Sequence, residues 1–213
     1  MADPIIRFYY HGRPETAFSD LVSALVGSGL SIEHPVSKKL MRYAEFGELN
    51  VASISEHVNS LKVHKYTALP FWEDDAFSAF VSVELVGDDI VCDLISTDVI
   101  SLSLEIKISA AMISRFRLMS GERMILVDLT GDSSEFVDWG SFFRHQHEIL
   151  PSDIPVGSLP SVLGMTNSRF SKAADALRSF HIERTDEYTI ASKFRTLEEF
   201  SGWQRSRFQK PNG

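Results

Sequence analysis

One cysteine, Cys92, stands alone among 213 residues, so no internal disulfide can form and a cysteine-rich zinc site is excluded. The N-terminus has no basic region followed by an apolar core. No apolar run approaches the roughly 20 residues that span a bilayer. A cytoplasmic protein with no membrane partner is expected. There is no Walker pattern, no dinucleotide glycine series and no G-x-S-x-G elbow. Catalytic residues, metal ligands and cofactors are accordingly not assigned, and an enzyme is not expected.

A basic nucleic-acid-binding tail is missing too. The net charge is −8, with residues 1–130 carrying 11 Lys/Arg against 18 Asp/Glu and residues 131–213 carrying 10 against 11. Such a chain binds DNA only if its positive charge gathers on one face. The histidine pairs do not suggest a metal. His145 and His147, at i and i+2 of a helix, point about 200° apart, and His57 and His64 are two turns apart. Glu73-Asp74-Asp75 and Asp88-Asp89 read as solvated turns. The stretch from Asp128 to Asp132 reads as an Asp N-cap and not as a phosphate loop.

What is present is enough apolar sequence, 44% of residues, for ordinary globular cores. Ile5–Tyr10 predicts a strand. Pro14 opens a helix whose stripe is Phe18, Leu21, Val22, Leu25 and Val26, and Gly27-Ser28-Gly29 closes it. Leu30–His34 reads as a second strand. Ser53 and Glu56 form a capping box for a helix bearing Ile54, Val58 and Leu61. From Phe77 to Leu85 apolar residues alternate with Ser78, Ser82 and Glu84. Gly87-Asp88-Asp89 then turns the chain into the strand Ile90–Ile95. Ile100, Leu102, Leu104, Ile106 and Ile108 alternate in the same way and predict another strand. A helix over Ala110–Met119 and a strand over Arg123–Leu129 follow. Residues 1–130 are thus expected to form an acidic α+β domain with a mixed, largely antiparallel sheet. Its expected role is ligand sensing or self-association.

Thr130-Gly131-Asp132 marks the expected boundary of a second domain, residues 131–213. Asp132 and Glu135 cap a helix running to about His147, with Phe136, Trp139, Phe143 and Phe142 inward. Pro151, Pro155 and Pro160 mark an extended connector. Leu159, Leu163, Gly164, Met165, Phe170, Ala173, Ala174 and Leu177 then carry the spacing of two short helices packed around a tight turn. A hairpin, His181–Ser192 with Thr185-Asp186-Glu187 at its tip, comes next. This order resembles a winged helix-turn-helix. A C-terminal helix or tail adds Arg205, Arg207 and Lys210.

The resemblance implies DNA binding and transcription regulation, with the second helix in the major groove of double-stranded DNA. Thr166, Asn167, Ser168, Arg169, Ser171 and Lys172 would form the DNA-binding surface, with Arg178 and Arg184 on phosphates. The acidic wing tip opposes this. Some winged helices serve only in assembly, and the acidic charge suits association with a basic protein partner, as in an inhibitor, an immunity-type protein or a complex subunit. Both readings stand on the sequence, and a homo-oligomer fits either.

Overall fold

The computed structural model describes residues 6–43, 48–73, 76–96, 102–128, 137–145, 148–196 and 199. Its frame is an eight-stranded sheet in which every neighbouring pair is antiparallel. In chain order the strands are β1 (Ile6–His11), β4 (Tyr66–Glu73), β5 (Ala76–Val86), β6 (Asp89–Ser96), β7 (Arg123–Val127), β8 (Val162–Thr166), β9 (His181–Arg184) and β10 (Tyr188–Ser192). Their spatial order is β4-β5-β6-β1-β7-β8-β10-β9. A small hairpin of β2 (Met41–Tyr43) and β3 (Leu49–Val51) lies beside it, with Tyr43 against Phe80 at 5.5 Å.

Both faces of the sheet are apolar because each central strand carries large residues at successive positions. On the first face Ile6, Phe8, Ile125, Val127 and Ile190 meet α1 (Pro14–Gly27), α2 (Ile54–His64) and α3 (Leu102–Leu118). On the second, Tyr9, Met124, Leu126, Leu163, Met165 and Ala191 meet α4 (Trp139–Arg144) and α5 (Asn167–Ala173). Alternation of side chains along a strand makes this division automatic. The fold is mixed α+β, as expected.

Local signals account for several elements. Pro14 occupies the first turn of α1, and Phe18, Leu21 and Leu25 are buried beneath it. The Ser53–Glu56 capping box is complete at both ends, with Ser53 N donating to Glu56 Oε2 at 2.7 Å. Lys65 ends α2 in the left-handed region at φ +62°.

Other expectations are corrected. Residues 102–108 belong to helix α3, not to a strand. Leu104, Ile108, Met112, Ile113 and Phe116 form one buried stripe at helical spacing, and Ser103 and Lys107 face solvent. Leu30–His34 makes only two isolated bridges, Ser31 to Trp72 and Glu33 to Leu40. The helix expected over 132–147 is described as α4, capped by Asp138, whose carboxylate accepts from Ser141 N at 2.9 Å. Thr130, Gly131, Asp132, Glu135, His147, Arg205, Arg207 and Lys210 lie outside the described residues.

The largest correction concerns residues 158–177. The expected first helix is a single 3-10 turn, Val156–Ser158, followed by the strand β8. Leu163 and Met165 are core residues of the second sheet face, and Gly164 is not a turn. A Cβ on Gly164 would sit 2.7 Å from Ile125 Cγ2 and 2.9 Å from Phe116 Cε1. Glycine is needed there because α3 presses onto the sheet at that point. The sheet also crosses the expected boundary near residue 130, since β7 pairs with β8 from Met124–Met165 to Val127–Val162. One sheet and its two faces thus draw on both expected domains.

Candidate interaction surface

The eight residues expected to contact DNA lie on or near α5 and the β9–β10 hairpin, but several point inward. Thr166 Oγ1 donates to the Glu122 carboxylate at 3.1 and 3.2 Å and lies 3.1 Å from Ser168 Oγ. Asn167 Nδ2 donates to the Thr185 and Asp186 carbonyls at 2.9 and 3.0 Å, and its Oδ1 accepts from Thr189 at 2.6 Å. Asn167 therefore fastens the start of α5 to the hairpin tip.

Arg169 is 3% exposed. Its Nε reaches Glu122 Oε1 at 2.6 Å, its Nη1 donates to Phe142 O at 2.5 Å and His145 O at 3.3 Å, and its guanidinium lies 5.4 Å from the Phe143 ring. Its Nε and Nη1 are thus both engaged internally. Ser168, Ser171, Arg178 and Arg184 are exposed, and Lys172 is half-buried. The structure brings Thr166, Asn167 and Arg169 together as a fastening and leaves the other five dispersed around it.

Phe142 and Phe143, expected inward on their helix, are buried around Arg169, whereas its partner Glu122 has no local sequence signal. A second arginine is internal at the same end of the sheet. Arg123, 1% exposed, donates to Phe116 O and Gly121 O, each at 2.9 Å, and lies 3.6 Å from Glu187. Phe116 and Tyr188 flank it at 5.1 and 5.5 Å. Burial lowers its pKa, and Glu187 opposes that shift. Close by, His11 Nδ1 lies 2.8 Å from the buried Asp89 carboxylate, with its ring 5.5 Å from Phe143. Among the described residues no three His, Cys, Asp or Glu side chains gather to hold a metal ion. No helix among them is long and apolar enough to cross a membrane.

What this end offers outward is mixed charge: Glu84, Asp88, Asp186 and Glu187 beside Arg13, Lys65 and Arg184, all exposed. A different feature adjoins it. The two edges of the sheet are treated unequally. Edge strand β4 carries Pro70, is bridged by Ser31 to Trp72 in both directions at 2.8 and 2.9 Å, and lies beside the β2–β3 hairpin. Proline and cover are ordinary protections of a strand edge. Edge strand β9 has neither. Among the described residues it pairs only with β10, and all four of its residues are exposed, Ile182 at 45%.

The pairing phase follows from the turn. Thr185 N donates to Tyr188 O at 2.9 Å, making that pair a hydrogen-bonded one. Alternation along an antiparallel ladder then turns the main-chain groups of Arg184 and Ile182 away from β10, toward solvent. The side chain of Glu183 is fixed on the opposite side of the chain from these neighbours, accepting from Arg117 of α3 at 3.1 and 2.5 Å. Among the described residues nothing pairs with the outer edge of β9. Comparison with known protein families, curated proteins and solved structures finds no match for this chain.

Proposed function

We propose that this chain is a protein-interaction module whose partner adds an extended segment to the open edge of β9. The carrying observation is that edge: an exposed strand that, among the described residues, carries no proline and no covering element, and whose outward main-chain groups offer a template for strand addition. The net charge of −8 favours a basic partner by speeding encounter at low salt. An inhibitor or an assembly subunit fits this behaviour.

Burial of Arg169 and Arg123 supports the same reading over DNA recognition. The two arginines at this end of the sheet that are nearly excluded from water cannot reach a phosphate without unfolding their surroundings. Of the eight residues expected to contact DNA, Lys172, Arg178 and Arg184 are the cations not enclosed by the fold. A labelled random-sequence duplex titrated with the full chain at about 50 mM salt, where phosphate contacts are strong, is the test. The duplex is expected to remain free at micromolar protein. Saturable, salt-sensitive binding that weakens on Lys172→Ala would return the chain to the DNA readers.

A further inference from the structure

On the first face of the sheet, α3 does not follow the strands to the β9 edge. Where Phe116 rests on Gly164 the helix touches the sheet, and beyond that point a cavity of about 300 Å³ opens between α3 and the strands β8, β10 and β9. That volume is at the small end of ligand sites.

The cavity has two chemically different parts. Its apolar side is made by Ile113 of α3, Val162 of β8, Ile190 of β10 and Phe194 just after β10. Its polar lining carries two cations, Arg117 and Arg195, and the Glu183 carboxylate, while the Glu199 carboxylate accepts from Arg195 N at 2.7 Å. Two hydroxyls there accept from backbone N–H groups. Ser192 Oγ accepts from Phe194 N at 3.2 Å, and Thr196 Oγ1 accepts from Glu199 N at 3.1 Å. A hydroxyl has one donor, and in each case the acceptor side is the one occupied, so the O–H stays available to donate. Arg117 gives two of its five N–H donors to Glu183 and keeps the others.

We propose that this cavity is a binding site for a small carboxylate carried on an apolar body, such as an aromatic or short-chain aliphatic acid. The apolar wall takes the body. Arg117 and Arg195, with the Ser192 and Thr196 hydroxyls, take the carboxylate. Glu183 competes with the ligand for Arg117, so it lowers affinity and keeps the unliganded rim neutralised. A bulky anion is disfavoured by the volume. The site is separate from the outward edge of β9, and its occupation does not depend on the partner reading.

Calorimetric or ligand-observed NMR titration of the full chain with benzoate, phenylacetate and octanoate tests the proposal. Benzyl alcohol serves as the body without charge, and inorganic phosphate as the charge without body. At least one carboxylate is expected to bind saturably, with both controls weaker by about tenfold or more. Arg117→Gln combined with Arg195→Gln should cost about tenfold, and Glu183→Gln should tighten binding. All three positions are exposed, so circular dichroism should report intact folds. Three results would each overturn the assignment: no saturation by any carboxylate up to about 10 mM, controls that match the carboxylates, or a double arginine variant that binds as the parent does.

Discussion

Arg169 and Glu122 meet at 2.6 Å with the guanidinium 3% exposed and the carboxylate 22% exposed. The pair joins α5 to the start of β7, and the same guanidinium reaches back to Phe142 and His145 at the end of α4. A residue that reads as a surface cation in sequence is the fastening of the second sheet face. Its burial removes Arg169 from the exposed cations of α5.

Arg169→Met should therefore act on stability. Removing one partner of a buried ion pair leaves the other charge and two carbonyls uncompensated. The expected loss is about 3 kcal/mol, near the low end for such pairs because Glu122 keeps some contact with water. Lys172→Ala on the same helix should stay within about 0.5 kcal/mol. Urea unfolding of both variants measures this. Equal midpoints would remove the fastening role.

Gly164→Ala tests the close approach of α3. The added methyl would meet Ile125 and Phe116 at 2.7 and 2.9 Å. Both are buried and cannot retreat, so overpacking should cost about 1–3 kcal/mol. A thermal midpoint equal to the parent's would mean that the helix gives way freely.

His57 makes stability depend on pH. Its ring is fully buried, stacked on Phe18 at 5.3 Å, with Nδ1 2.8 Å from Thr67 Oγ1. Desolvation moves its pKa down from 6.5 to about 4. The unfolded chain thus binds the extra proton first. Its contribution is full above about pH 6.5 and is lost as pH falls toward 4, by on the order of 2–3 kcal/mol. Urea titrations between these limits should show a steeper decline for the parent than for His57→Gln. Parallel curves would contradict it.

A fragment ending at residue 130 should not fold as a unit. It would lack β8–β10, leaving the edge of β7 unpaired and Ile125, Val127 and Met124 uncovered. The full chain is expected to unfold in one transition across the shared sheet. A fragment with its own cooperative melt would restore the two-domain division.

Much of the fold was legible where the signal is local. The stripe of α1, the Ser53–Glu56 box, the turn at Gly87-Asp88 and the hairpin ending at Ser192 all depend on residues within a few positions of one another. α3 was misread because its first nine residues alternate by chance. The helical period emerges only when Leu104 and Ile108 are continued to Met112 and Phe116. β8 was hidden by Gly164, whose reason is a phenylalanine 48 positions earlier, on another layer. Arg169 was misplaced for the same cause, since its carboxylate partner is 47 residues away. The hairpin was found, but which of its edges is open depends on the whole sheet order.

The most direct test is affinity capture from the native cell, after nuclease treatment, with the parent and two β9 variants in parallel. Ile182→Pro removes an N–H that faces away from β10, so the fold should survive. Glu183→Pro removes one that faces β10 and should damage the sheet. The account predicts a basic protein that the parent retains, that salt elutes, and that Ile182→Pro loses while its circular dichroism and melting temperature stay those of the parent. Retention of the same partner by a folded Ile182→Pro variant, or recovery of a defined DNA site in place of a protein, would contradict it.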